Sequence, residues 1–389
     1  LAAPVEQATL LIGLPDLPAH VRRDALASFF LCLLGATAAG ISIFAAGYFR
    51  RGQGTSAGLL CLQYHLFLAS MGFVLLADDA YAFMVAWETM ALSSYFLVTT
   101  QHGIAEIRRA GFLYLLIAHV GALAILLSFG VMQGGSWQFT FDAMRSAHLT
   151  PQTAAVAFLL ALVGFGAKAG LVPMHVWLPE AHPAAPSPVS ALMSGVMLKT
   201  AIYGVLRVTF DLLGEPEWWW GLIPLGVGLF SAIYGVVFAA AQTDMKRLLA
   251  YSSIENIGII FAGFGLAIVF LGNGMPALGT LALIALLYHC LHHAFIKSLL
   301  FLGTGAVLHS TGERNLGRLG GLIHRMPWVA WLTLVGALAM AGLPPLNGFV
   351  SEWLLLQALL FSPDVPRPVV NMLLPMGAAL VALAAALAA

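Results

Sequence analysis

The sequence predicts an all-α, polytopic membrane protein, and three observations carry that reading. Hydrophobic residues fill 60% of the 389 positions and charged residues only 9%, against roughly 25% charge in an ordinary soluble domain. Apolar runs of about 20 residues, the length that crosses a bilayer, recur along the chain with short polar breaks between them. Two of those runs are interrupted at glycine and proline and carry charged residues close to the interruption. A globular core could not enclose so much apolar surface, whereas a bilayer makes it the proper exterior.

Taken in order, the runs fall near 25–49, 56–77, 79–100, 110–133, 152–182 (broken), 187–209, 218–241, 247–272, 278–309 and 326–360 (broken), with a last one after 369. Residues 1–24 precede the first run as a non-cytoplasmic segment, and 25–389 read as a single transmembrane domain with its core at 56–360. The chain begins without methionine and ends inside an apolar run, so it is expected to be a piece of a longer protein, truncated at both ends, with no signal peptide. Nine of its 17 basic residues, Arg50, Arg51, Arg108, Arg109, Lys246, Arg247, Arg314, Arg318 and Arg325, fall on one face if each broken run counts as one crossing. That face is then cytoplasmic. Arg22, Arg23, Arg145 and Arg207 lie opposite.

Several function classes drop out. Net charge is zero, with no basic block to hold nucleic acid. Cys32, Cys61 and Cys290 are scattered without a CxxC, against a disulfide framework, a zinc ribbon or an iron–sulfur site. "GFGAKAG" lacks the third glycine and the βαβ surroundings of a dinucleotide site, and no Walker A loop exists to bind ATP. Gly166 and Gly170 fit close helix packing better, and Trp218–Trp220 read as an interfacial anchor.

The charges inside the runs are the informative ones: Glu88, Lys168, Lys199, Lys297 and Glu352. Each costs about 2.5–3.5 kcal/mol at a span centre, so five cost roughly 12–17 kcal/mol if additive, comparable with the whole stability of a domain. Such residues face the bundle interior or a wet cavity and pair with one another. Structural ion pairs between helices are the plain alternative. His289, His293 and Lys297 follow one another at four-residue intervals along one helix face, with His292 on the adjoining face. Imidazole accepts and donates through different nitrogens near neutral pH, and a desolvated lysine releases its proton more readily, so the stripe suits a proton relay. A metal site at His289 and His293, or interhelical hydrogen bonding alone, are the competing readings.

The first break also has a twin. Ala169–Pro173 followed by Glu180 matches Ala341–Pro345 followed by Glu352 at a constant offset of 172 residues. Paired interrupted helices in two halves of a membrane protein point to a transporter with internal repeats.

Five stretches carry a family resemblance: "FMVAWETMALSSYFLV", "GFGAKAGLVPMHVWLPEAHPAAPSPVSALMSG", "TDMKRLLAYSSIENIGII", "LHHAFIKSLLFLGTG" and "AGLPPLNGFVSEW". Together they resemble the antiporter-like, proton-translocating membrane subunits of respiratory complex I, Mrp-type antiporters and membrane-bound hydrogenases, over residues 55 to 360. The combination "PEAHPAAPSPVSALMSGVMLKT" with "SIENIGII" is most similar to the large membrane subunit of hydrogenase-4 and formate hydrogenlyase complexes. The resemblance implies two inverted five-helix repeats with discontinuous helices. It also implies residue roles: Glu88 partners Lys168, Lys168 carries the proton of the input half-channel, and Lys199 links the halves. His289, His293 and Lys297 form the central relay, and Glu352 stands at the exit. Asp244, Lys246 and Arg247 match a cytoplasmic turn read as structural.

The expected function is therefore proton translocation coupled to electron transfer in partner subunits, in a bacterial or archaeal cytoplasmic membrane. The chain itself is expected to hold no cofactor or metal and to be a non-redox subunit of an oxidoreductase complex. Iron–sulfur clusters, a nickel–iron centre or quinone would belong to the partners. An Mrp-type cation/proton antiporter subunit without redox partners is the alternative, and a structural scaffold that has lost transport a third.

Overall fold

The computed structural model describes residues 4–14, 17–49, 54–360, 365 and 367–388. Arg50 and Arg51 of the predicted cytoplasmic set lie outside them. The described chain is mostly helical. Nine of its helical segments are long and apolar enough to cross a membrane.

One compact unit comprises residues 1–169, 184–189 and 196–215. It opens with a feature the all-α expectation did not contain, an antiparallel pair of strands, β1 (Glu6–Leu14) and β2 (Leu17–Arg23). Helix α1 (Ala25–Tyr48) follows, capped by the Asp24 carboxylate, which accepts from Ala27 N at 2.9 Å. Then come α2 (Ala57–Leu76) and α3 (Ala80–Val98), the latter capped by Asp79, whose two oxygens accept from Ala82 N at 2.6 Å and His20 N at 2.7 Å. With Glu88, Thr89, Ser93 and Ser94 along it, α3 falls outside the nine most apolar segments. Helix α4 (Ala105–Met132), the short α5 (Phe141–Arg145) and α6 (Pro151–Ala169) continue the unit. α4 and α6 meet backbone to backbone at Gly121 and Gly164: a Cβ on Gly164 would stand 2.6 Å from the Gly121 carbonyl oxygen. In lipid, such close approach replaces the hydrophobic drive as the source of helix affinity.

Beyond α6 the chain breaks at Gly170, whose φ of +83° is a left-handed conformation that suits only glycine well. A 3₁₀ turn (Met174–Trp177) and α7 (Leu178–Ala184) complete this interrupted run. Helix α8 (Ser187–Leu192) passes through a π turn (Met193–Met197) into α9 (Leu198–Leu206) and ends in a second π turn (Arg207–Leu212). These form one 26-residue crossing whose most apolar stretch is buried throughout.

The other unit comprises residues 170–183, 190–195 and 216–389. Its spine is α10 (Leu222–Ala240) against α11 (Met245–Gly272). Gly228 and Gly235 face Gly258 and Glu255 across the contact; a Cβ on Gly258 would come within 2.5 Å of the Ala232 nitrogen. Glycines at seven-residue spacing stay on one helix face through successive turns, so the seam runs the length of both helices. Helix α11 is 94% buried over its most apolar window, as a helix apolar on every side must be. The 36-residue α12 (Pro276–Thr311) starts with proline at its first turn and stops at Gly312 in the left-handed region.

After the short α13 (Leu322–Arg325), the predicted run at 326–360 resolves into α14 (Pro327–Met340) and α15 (Asn347–Leu360), 14 residues each. They are separated at Gly342, φ +64°, the counterpart of Gly170. Helix α16 (Pro368–Ala388) closes the described chain.

Turns at one end of this unit gather Lys246, Arg247, Arg314 and Arg318. Asp244 caps α11 by accepting from Lys246 N at 2.9 Å and Arg247 N at 3.2 Å, and pairs with Arg314 at 2.8 Å. Arg247 pairs with Glu180 at 2.9 Å. The two twin glutamates thus have different surroundings: Glu180 is about 40% exposed beside an arginine, whereas Glu352 is buried, its Oε2 only 2.7 Å from where a Cβ on Gly342 would sit.

Candidate functional site

Six of the seven residues singled out in the sequence are buried: Lys168, Lys199, His289, His293, Lys297 and Glu352, none more than 8% exposed. The exception is Glu88, with a side chain 32% exposed.

In the first unit, Lys168 occupies the last turn of α6, where the helix dipole favours a cation. Its Nζ donates to the Tyr114 hydroxyl of α4 at 2.7 Å and lies 6.0 Å from the centre of the Trp87 ring. Tyr114 Oη is 2.6 Å from Ser94 Oγ, and the Ser94 hydroxyl donates to the Met90 carbonyl at 2.5 Å. A carbonyl only accepts, so the serine proton is committed and the tyrosine donates to Ser94, with Met197 Sδ a longer second acceptor at 3.6 Å. The chain therefore runs in one direction, Lys168 to Tyr114 to Ser94 to backbone. Lys199 is buried on α9 of the same unit.

Glu88 was expected to partner Lys168. Among the described residues its ion-pair contact within 4 Å is His119 instead, Nε2 to Oε2 at 3.4 Å, while its charge acts on the Lys168 ammonium from a greater distance. His119 Nδ1 lies 2.9 Å from the Leu115 carbonyl and so carries a hydrogen.

In the second unit, three helices bring their polar residues together. From α11 come Ser252, Glu255 and Asn256, from α12 His289, His292, His293 and Lys297, and from α15 Ser351 and Glu352. Asn256 Nδ2 donates to the Ser252 carbonyl at 2.8 Å, which turns its oxygen towards His289 Nε2 at 3.0 Å. That nitrogen is therefore a donor, and Nδ1 lies 3.1 Å from Ser351 Oγ, whose hydroxyl also reaches the Gly348 carbonyl at 3.1 Å. Ser351 Oγ in turn stands 2.8 Å from His292 Nε2. One hydroxyl thus joins two imidazoles, whose ring centres lie 4.4 Å apart. His293 stacks at 6.3 Å from His289, and Lys297 Nζ donates to the Leu249 carbonyl of α11 at 3.1 Å. Glu255 accepts from the Ser252 hydroxyl at 3.2 Å, and its carboxylate interacts electrostatically with Lys297 and Glu352.

The sequence reading missed Tyr114, Ser94, His119, Asn256, Ser351 and Glu255 as members of these clusters. Glu255 carried a usable signal, being a carboxylate well inside the apolar span at 247–272. Lone hydroxyls and one amide in apolar helices are too common to mark a site without knowing what they face.

Chemically, the arrangement offers amines, imidazoles and carboxylates held away from solvent and joined by hydroxyls that donate and accept at once. Such groups pass protons. Comparison with known proteins identifies the family. The chain is 43% identical to hydrogenase-4 component B of Escherichia coli over 341 residues, covering 87% of this chain and 51% of that protein. It is 34% identical to formate hydrogenlyase subunit 3 of the same organism, covering 87% and 54%. It spans about half the length of these curated relatives. Among solved structures, a chain of the Mrp complex from Dietzia sp. DQ12-45-1b superposes with a TM-score of 0.81 at 25% identity, covering 98% of this chain and 68% of that one. Residues 77–364 match the NADH:quinone oxidoreductase/Mrp antiporter transmembrane family. The chain is thus a multi-pass, antiporter-like membrane subunit and belongs to that family.

Proposed function

We propose that this chain translocates protons across a bacterial or archaeal cytoplasmic membrane as one subunit of a redox-driven complex of the hydrogenase-4 or formate hydrogenlyase kind. The observation that carries the reading is the set of buried amines, imidazoles and carboxylates, Lys168, Lys199, His289, His293, Lys297 and Glu352, lying inside apolar helices. Placing that many ionisable groups in hydrocarbon is costly without a transport role. The higher identity to hydrogenase-4 component B favours redox partners over an Mrp-type assembly.

Protons are taken up from the cytoplasm at Lys168 under the influence of Glu88, pass by way of Lys199, His289, His293 and Lys297, and leave near Glu352. The partner subunits would hold the iron–sulfur clusters and the nickel–iron or quinone site and carry out the electron transfer. The matching breaks at Gly170 and Gly342 support two inverted five-helix repeats within one antiporter-like domain.

The test is Lys168→Ala in the assembled complex, reconstituted in vesicles. Proton pumping is expected to fall to background while the complex still assembles. Pumping at the wild-type rate would remove Lys168 from the path. Co-purified hydrogenase or dehydrogenase subunits support the redox assignment, and sodium-dependent exchange in their absence would replace it with the antiporter one.

A further inference from the structure

The second unit contains a cavity of about 660 Å³ that the relay does not use. Its lining includes Met245, Leu316, Leu319 and Leu322, at the end that carries Lys246, Arg247, Arg314 and Arg318. Its walls come from α10, α11, α12, α14 and the end of α16 at Leu387 and Ala388, and among its lining residues are Ser252 and Glu255. Glu255 lies ten residues along α11 from Met245, about 15 Å at 1.5 Å per residue. That is half the ~30 Å thickness of a hydrocarbon core.

The walls are mostly apolar, with hydroxyls at Ser252, Thr304 and Thr333. The volume holds about twenty waters at ~30 Å³ each. A charged carboxylate lining the chamber is favoured by water there, since the Ser252 hydroxyl and Lys297 meet only part of its solvation. Glu255 also faces the relay. Its carboxylate interacts with Lys297 of α12 and Glu352 of α15, and the neighbouring Asn256 is bonded to His289.

We propose that this cavity is a water-filled proton port on the basic face of the second unit, and that Glu255 is the acceptor that delivers protons from it to Lys297. The inference rests on the proton-translocating reading above and adds a point of uptake separate from Lys168. The Glu255 carboxylate binds a proton supplied by cavity water in exchange with the cytoplasm. It passes that proton to the neutral amine of Lys297, which restores the carboxylate and leaves an ammonium to drive the next step.

Two measurements on the full complex in vesicles test this. Glu255→Gln is expected to reduce proton pumping at least tenfold, with Glu255→Asp recovering part of it. Thr304→Cys, in a chain whose native cysteines are replaced by serine, is expected to react with a charged, membrane-impermeant maleimide from the basic face, and the label to slow pumping. Pumping at the wild-type rate in Glu255→Gln overturns the port. So does labelling of Thr304→Cys by an apolar maleimide but not the charged one, which would mean that lipid or another helix fills the chamber. If Glu255→Gln does not assemble, the labelling result decides by itself. Loss of pumping in Lys168→Ala together with normal pumping in Glu255→Gln removes only the port, whereas normal pumping in Lys168→Ala removes the broader reading.

Discussion

The Lys168 amine donates a 2.7 Å hydrogen bond to the Tyr114 hydroxyl, and so the charge on α6 is held by a phenol of α4 rather than by a carboxylate in direct contact. A neutral partner stabilises the ammonium less than a carboxylate would, which leaves the proton easier to move. Tyr114→Phe keeps the ring and removes the acceptor. Proton pumping is expected to fall about tenfold with assembly intact, in line with the roughly 1–3 kcal/mol cost of leaving a buried donor unsatisfied. Unchanged pumping in reconstituted vesicles would show the phenol to be packing only.

Ser351 joins His289 and His292 through one hydroxyl, at 3.1 and 2.8 Å. A proton can cross between the rings only by displacement of the serine proton. Ser351→Ala should therefore slow proton transfer by about one order of magnitude, the ~1.4 kcal/mol equivalent, while Ser351→Thr, which retains the hydroxyl, should pump near the wild-type rate. Equal rates in the alanine and threonine variants would exclude the bridge.

At the opposite end of the first unit from Arg108, Arg207 binds both oxygens of Asp24, at 2.6 and 2.8 Å, and Arg145 bonds Asp211 and Asp78. Burial alone would raise the Asp24 carboxyl, but the Arg207 hydrogen bonds and the Ala27 amide outweigh it and hold the group at about 2. Because the folded value lies below the ordinary carboxylate value, the contribution of Asp24 to stability is complete above about pH 4 and lost as pH falls from there through about 2. Asp24→Asn is expected to destabilise the protein by on the order of 3 kcal/mol, as loss of one partner from a largely buried pair does. The deficit in thermal unfolding in detergent should stay constant from pH 7 to pH 4. A deficit that halves by pH 5 would contradict the assignment.

The α10–α11 seam sets a sharper structural limit. Gly258→Leu would drive a side chain into the backbone of Ala232, whereas Gly226 on α10 has open space around its Cβ position. Overpacking costs typically 1–3 kcal/mol, and more where only backbone can give way. The Gly258 variant is expected to lose most of its folded protein in membranes, and Gly226→Ala to lose none, by quantitative immunoblot and thermal stability in detergent. Equal yields would mean that the two helices can move apart.

Much of this protein is legible without its structure. The bilayer, the succession of crossings, the breaks within Ala169–Pro173 and Ala341–Pro345, and the stripe of His289, His293 and Lys297 all follow from patterns along the chain. The exceptions are instructive. Residues 6–23 pair as strands beside an otherwise helical fold, because hydropathy over 20 residues says nothing about a short segment outside the bilayer. Glu88 had to be assigned by resemblance to Lys168, yet it touches His119, a half-exposed residue of α4 whose facing helix no spacing rule identifies.

The sequence by itself determined the solvent, the helix order and most of the ionisable groups that lie within apolar runs, because composition and periodicity are local and carry large energies. Only the tertiary structure decided that Tyr114, Asn256 and Ser351 connect those groups and that Glu255 lines a cavity. A hydrogen bond needs its atoms within about 3 Å, and that condition depends on which faces of helices distant in the chain are packed together.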